Sequence, residues 1–338
     1  MKDLHLNNEQ LPWHSSCREQ LNGYIANNRI PHALILAGHE GIGKMLLAQQ
    51  ISHLLLCDRP KNNQACGSCH ACKLILAATH PDFIMVSPEE EGKSILIDRI
   101  RALANTLTLK PHYAKYRIIL INPAHKLNRN AANALLKTLE EPGENNLFLL
   151  VTDQLESLPA TIRSRCQTLH VPTPEQCDAI SWLAKRLPNQ NAARLIKIAA
   201  GSPIKAFNLA ESGVEKDYEL LESLWLELYK GQIDPITAAS KTEKIRLSLI
   251  IEWITHWVVE LVQIQFDPDL GQLKGSGQEA AGASDILKDL QSSLDLRRLF
   301  DLLEQLYQAK RLLDSSVNRQ LMLEAIFISW CSINKKSC

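Results

Sequence analysis

The sequence predicts an α/β domain built on a parallel sheet, followed by a remainder that is all helical. Three observations carry this prediction. Short apolar runs alternate with helical patterns through the first half of the chain. A glycine-rich turn ending in Lys44 joins the first apolar run to the first strong helical pattern. After Val171, Pro172 and Pro174 interrupt the chain and no convincing strand follows.

Taken in order, His32–Ala37 (HALILA) is a short apolar run of strand length, and Leu46–Leu56 repeats its apolar residues at helical spacing. Further strands are predicted at Asp82–Val86, Arg117–Ile121 and Leu147–Val151, with helices around Ile97–Leu107 and at Ala131–Glu141. The stretch Glu175–Ala210 reads as a few short helices. From Val214 long amphipathic patterns dominate, at Tyr218–Tyr229, Ile245–Phe266, Asp295–Leu313 and Arg319–Ser332. Gly271–Ser284 is rich in Gly, Ser and Ala and reads as a mobile surface loop. The expected division is an α/β domain over 1–171, a small helical domain over 172–211 and a C-terminal helical domain over 212–338.

Composition narrows the class. The chain of 338 residues carries 37 Lys+Arg against 37 Asp+Glu, a formal net charge of zero. A protein that wrapped nucleic acid on its own would be more basic. Met1–Gln10 is polar and lacks the apolar core of a secretory signal. The longest apolar stretch, Leu247–Phe266, is interrupted by Glu252, His256 and Glu260 and reads as a buried helix, so no membrane is expected as a partner. Without an export signal, the nine cysteines are expected in a reducing cytoplasm.

The segment Gly38-His-Glu-Gly-Ile-Gly-Lys44 fits G-x-x-x-x-G-K and sits between a strand and a helix, where a phosphate loop must sit. Gly38, Gly41 and Gly43 would let backbone N–H groups turn toward a phosphate, and Lys44 would reach its terminal oxygens. The next residue should offer a hydroxyl to magnesium, and here it is Met45, whose thioether is a poor ligand for a hard cation. A strand ending in adjacent acids should complete the site, but Ile118–Ile121 runs into Asn122 and Pro123. Loss of oxygen ligands in two separate segments points to a site that does not hydrolyse. Whether ATP or ADP binds is left open.

Cys57, Cys66, Cys69 and Cys72 form a C-x8-C-x2-C-x2-C array after the first helix. Paired C-x2-C steps bring two sulfurs to one ion from a tight turn, which suits tetrahedral zinc. Four thiolates leave no open position, so the zinc would be structural. His70 lies within the array and is surplus to it. Separately, Arg99–Arg129 carries seven Lys/Arg and no acid. It reads either as solvated helix faces and strand ends or as a surface turned toward nucleic acid.

Leu127–Pro142 (LNRNAANALLKTLEEP) and Ser157–Gln167 (SLPATIRSRCQ) closely resemble segments of the bacterial clamp-loader AAA+ family. The cysteine array, the approach Arg29–Ala33 (RIPHA) and the late motif Asn318–Glu324 (NRQLMLE) are similar to that family as well. The resemblance implies an AAA+ phosphate-loop domain with an inserted zinc module at about 57–72, a helical lid and a C-terminal collar that oligomerises. It implies that Arg165, in Ser164-Arg165-Cys166, projects as an arginine finger into the ATP site of an adjacent subunit. Gly201–Ala206 is similar to the second sensor segment, but Ile204 falls where an arginine would touch ATP.

Two kinds of subunit share these motifs, motors with intact nucleotide sites and subunits lacking parts of them. Met45, Asn122, Pro123 and Ile204 place this chain with the second kind. The resemblance then implies a cytoplasmic component of a replicative DNA polymerase holoenzyme with no independent activity. Its partners would be motor and delta subunits, with the sliding clamp and primer–template DNA reached through the complex. Two alternatives stay open. An active motor subunit would have to tolerate Met45 and Asn122/Pro123, and a zinc-dependent DNA-binding protein would have only Arg59 and Lys61 as cations within the array.

Overall fold

The structure, a computed structural model, describes residues 9–90, 92–107, 111, 113, 115–266, 295–313 and 318–333. The loop expected at Gly271–Ser284 lies outside them. Among the described residues the strands are β1 (Ala33–Ala37), β2 (Phe83–Val86), β3 (Arg117–Ile121), β4 (Asn146–Thr152) and β5 (Gln167–His170). They form one parallel sheet in the order β2-β3-β4-β1-β5. Strands β1, β3 and β4 are buried along their whole length, as nearly unbroken apolar runs should be when helices cover both faces.

Alternation sends successive residues to opposite faces. Ile35, Ile119, Ile121, Phe148 and Leu150 pack under helices α4 (Ile97–Leu107), α5 (Arg129–Glu140) and α6 (Ala160–Arg163). Leu34, Leu36, Leu120 and Leu149 pack under α1 (Ser15–Ala26) and α2 (Lys44–Leu56), with α3 (His70–Leu76) adding Ile75 to that face. Helix α5 begins where Asn128 caps it, its Oδ1 accepting from the Ala131 N–H at 2.7 Å. The expected strands and helices of this half are present. Strand β5 was not expected, because it is polar and only Leu169 is buried, the pattern of an edge strand.

The chain groups into two compact units. One holds the residues up to Arg186 together with Gly201–Lys205, and the other holds Leu187–Ala200 and the residues from Ala206 onward. The segment 172–211 therefore contributes to both. Helix α7 (Gln176–Ala184) belongs to the first unit, α8 (Ala192–Ile198) belongs to the second, and α9 (Pro203–Ala210) starts in the first and continues in the second.

The second unit contains α10 (Glu215–Tyr229), α11 (Pro235–Lys241), α12 (Leu247–Phe266), α13 (Leu296–Leu312) and α14 (Arg319–Cys331). Its core is aromatic. Trp225 and Trp330 stack at 4.1 Å, and Tyr218 meets Trp253 and Trp257 edge-on. Two of these indoles find buried acceptors, Trp330 on the Trp225 carbonyl at 2.9 Å and Trp257 on the Tyr218 hydroxyl at 2.8 Å. Helix α12 is long and apolar enough to cross a membrane, but Ile250, Ile254, Trp257 and Val258 are buried in this core, as expected. The α13 stripe divides. Leu299, Leu302 and Leu306 are fully buried in their own unit, Leu303 is half-buried, and the exposed apolar residues of α13 are Phe300, Tyr307 and Leu312. An amphipathic period reports only that a face is covered, not by what.

Candidate functional site

The phosphate loop leaves the end of β1 and leads into α2. Gly38 cannot be replaced easily, since a Cβ there would lie 2.6 Å from the Val171 carbonyl oxygen. Gly43, at φ +92, caps the start of α2 in the left-handed region, which a side chain would strain. Lys44 is the first residue of α2 and is only 4% exposed. Its Nζ donates to the His39 carbonyl and stands 2.5 Å from Asp153 Oδ1. The sheet explains this contact. Ala37 and Thr152 are register partners in β1 and β4, so Gly38 and Asp153 leave the sheet side by side.

The loop's carbonyls are also occupied. Ile42 O accepts from Trp13 Nε1 at 2.8 Å and lies 2.9 Å from His14 Nε2. Glu40 O accepts from Ser202 Oγ at 2.6 Å, and Gly41 O accepts from the Ile204 N–H at 3.1 Å. Because a carbonyl only accepts, His14 carries its proton on Nε2 in this arrangement. Burial holds the His14 imidazole neutral, with its pKa pushed down from 6.5 to about 4. Ile204, expected where an arginine would meet ATP, instead presents Cδ1 3.0 Å from where a Gly43 Cβ would lie.

Across the sheet, β3 ends at Ile121 and Asn122 follows, its N–H bonded to the Val86 carbonyl. Neither Asn122 nor Pro123 offers a carboxylate. The next polar groups are Thr152 Oγ1 and His125 Nδ1, 3.2 Å apart. Burial lowers the His125 pKa, opposed by Asp153 and assisted by Lys126 and Lys44. The carboxylate placed at the loop is thus Asp153, which sequence reasoning missed. An Asp after an apolar strand carries no sign of its partner until strand register is known.

The four cysteines converge. Sγ atoms of Cys57, Cys66, Cys69 and Cys72 all lie within 4.8 Å of one another, and Cys57 and Cys69 are 3.9 Å apart. Tetrahedral zinc with bonds of about 2.3 Å needs sulfurs about 3.8 Å apart, so the residues could hold that ion. Backbone N–H groups of Cys66, Cys69 and Cys72 point at the sulfurs of Cys57, Cys66 and Cys69, at 3.2, 3.3 and 3.4 Å. Such donors stabilise thiolates. Hydrogen bonds from Ser68 and Cys69 push the Cys66 thiol down to about 6, while burial pushes Cys57 and Cys72 up. Between the first two cysteines, Lys61 and Gln64 exchange both backbone hydrogen bonds around Asn62 and Asn63, each at positive φ. His70 is exposed at the start of α3 and lies outside the cluster.

Arg165 follows α6 and precedes β5. Its Nη2 pairs with Glu140 Oε1 at 2.6 Å and its Nη1 donates to the Thr161 carbonyl at 3.0 Å, and the side chain stays 36% exposed. Arg163 pairs with Glu156 at 2.6 Å. Since Gln167 pairs with Leu34 and His170 with Ala37, Arg165 lies at the end of the sheet opposite the phosphate loop.

In the basic stretch Arg99–Arg129, three of the seven cations face acids that lie outside it. Arg117 is buried and lies 3.8 Å from buried Asp82, while donating to the Thr106 carbonyl at 2.8 Å. Arg99 pairs with Glu89 and Arg101 with Asp98. Lys110 lies outside the described residues.

Comparison with known proteins bears on the whole chain. Residues 13–175 match the family model described as DNA polymerase III, delta subunit, and residues 214–331 match DNA polymerase III, delta subunit, C terminal. The DNA polymerase III subunit delta′ of Pseudomonas aeruginosa is 34% identical over 331 residues, covering 95% of this chain and 97% of that protein. The Escherichia coli subunit delta′ is 28% identical, covering 94% of each. The DNA polymerase III subunit tau/gamma of Haemophilus influenzae is 32% identical over 197 residues, 56% of this chain and 28% of its own length.

Proposed function

This chain belongs to the DNA polymerase III delta′ subunit family, and from that premise we propose that it serves as a non-hydrolysing subunit of a clamp loader and lends Arg165 to a neighbour's ATP site. Its partners are motor subunits of the tau/gamma kind and a delta subunit, in the cytoplasm, and the sliding clamp and primed DNA are reached through the assembly. One zinc ion on Cys57, Cys66, Cys69 and Cys72 holds the knuckle in shape and takes no part in chemistry.

The observation that carries this reading is the separation of the two cations. Lys44 and Arg165 lie at opposite ends of the sheet, about 10 Å or more apart along the strands. Arg165 is therefore poorly placed to serve its own phosphate loop. Around that loop Met45, Asn122 and Pro123 offer magnesium no oxygen-bearing side chain but the Asn122 amide. A guanidinium whose charge is met by one exposed carboxylate, with the Thr161 carbonyl as a neutral second partner, can exchange that carboxylate for a γ-phosphate, and its forked donors suit the charge that develops on the transferred group.

The test is ATP turnover by the assembled complex. Arg165→Ala should leave assembly intact and slow the one site it completes by about a thousandfold. Total turnover then falls by a fraction, and clamp loading falls further because the sites act in sequence. Arg163→Ala should do much less. Complexes with Arg165→Ala that load clamps at the wild-type rate would return Arg165 to a structural role. Turnover by the isolated chain that disappears on Lys44→Ala would make it a motor instead.

A further inference from the structure

We infer that Asp153 acts as a built-in substitute for phosphate: its carboxylate holds Lys44 and keeps the di- or triphosphate group of a nucleotide out of an otherwise complete loop. This rests on the reading of the loop as non-hydrolytic and goes beyond it, because absent magnesium ligands explain lost hydrolysis but not lost binding. The loop keeps its glycines, its helix N-terminus and its lysine, which together suffice to attract phosphate.

Lys44 is not available for that task. Its ammonium is buried, 2.5 Å from Asp153 Oδ1, with the His39 carbonyl as its other partner. A phosphate would have to displace the carboxylate and then sit beside it as a like charge. Asp153 thus opposes phosphate twice, by occupying the lysine and by repelling the newcomer. It can do both because it follows β4 directly, and the pairing of Ala37 with Thr152 sets it beside Gly38. The tethers from Trp13, Ser202 and Ile204 bind loop carbonyls, so they leave the lysine's charge untouched. They also provide the rival explanation, a loop closed by packing alone.

The full-length chain and its Asp153→Asn and Asp153→Ala forms would be titrated with ADP and, separately, with inorganic pyrophosphate. Folding would be checked by circular dichroism. Binding should tighten by about tenfold or more in both variants, and Lys44→Ala in the Asp153→Asn background should abolish the gain. A gain with ADP alone identifies a nucleotide site, and a gain with both probes identifies a site for the phosphates themselves. No gain with either probe in a folded variant overturns the inference and leaves packing as the cause.

A second measurement uses the unaltered chain. Lys44 should react slowly with an amine-directed reagent, and ADP should not change that rate. Fast labelling that ADP suppresses also overturns the inference. The two readings fail separately. Asp153→Asn protein that binds and also hydrolyses ATP would sink the non-hydrolysing function while upholding Asp153. Variants that bind nothing would do the reverse.

Discussion

The two ends of the sheet each hold a cation against a carboxylate of the same chain. At the phosphate-loop end, Lys44 is 4% exposed and Asp153 33%. At the other end, Arg165 is 36% exposed and Glu140 52%. An exposed pair contributes about 0.2–1 kcal/mol and is readily exchanged. Removing one member of a buried pair costs about 3–5 kcal/mol, because the charge left behind is poorly solvated. The difference teaches that one motif in two settings suits opposite uses. In the proposals made above, the buried pair closes a site and the exposed pair holds an arginine in reserve for a partner's phosphate.

The largest expected effect tests whether the two ends act independently of the knuckle. Structural zinc in small modules binds with about 10–16 kcal/mol, so Cys69→Ser or strong chelation should unfold the segment from Cys57 to Cys72. Limited proteolysis should then cut within that segment while the sheet resists, and metal analysis should fall from one equivalent toward none. The Arg165 contribution to turnover should survive in the same protein. If it vanished, the regions would not be separable.

Next in size is a pH effect led by His14 at the closed end. Folded His14 titrates at about 4 and its unfolded side chain near 6.5, so between these values the unfolded state binds more protons. Stability is therefore full above pH 6.5 and is lost as pH falls toward 4, by at most about 3 kcal/mol. Urea unfolding across that range should show the loss, and His14→Gln should reduce it, leaving the share of His53, His80 and His125, whose pKa values burial also lowers. An unchanged slope would place the titration elsewhere.

The direct comparison comes from the pairs themselves. Lys44→Ala should destabilise by about 2 kcal/mol, below the buried-pair range because Asp153 is a third exposed to water. Glu140→Gln should cost less than about 1 kcal/mol, and it should leave clamp-loading turnover equal or slightly raised, since Arg165 is then easier to recruit. Equal losses in urea unfolding would erase the distinction between a closing pair and a parked one.

Much of the first unit was legible because its strands are continuous apolar runs and its loop chemistry is local. Gly38–Lys44, the absent oxygens at Met45, Asn122 and Pro123, and the four cysteines each depend on residues close in sequence. Strand β5 escaped notice because an edge strand needs burial on only one residue. The α13 stripe was legible as a covered face, but the residues that cover it come from distant helices.

What the sequence by itself determined is therefore the local chemistry: which groups exist, at what spacing, and which ligands are missing. The tertiary structure alone decided the pairing of charges. Register between β1 and β4 brings Asp153 to Lys44, packing of α5 beside α6 brings Glu140 to Arg165, and the fold brings Asp82 to Arg117. The physical reason is range. The glycine turn, the caps and the cysteine spacing are set within a few residues of chain, whereas a charge pairs with whatever the fold sets within about 4 Å of it, and that neighbour can lie a hundred residues away in sequence.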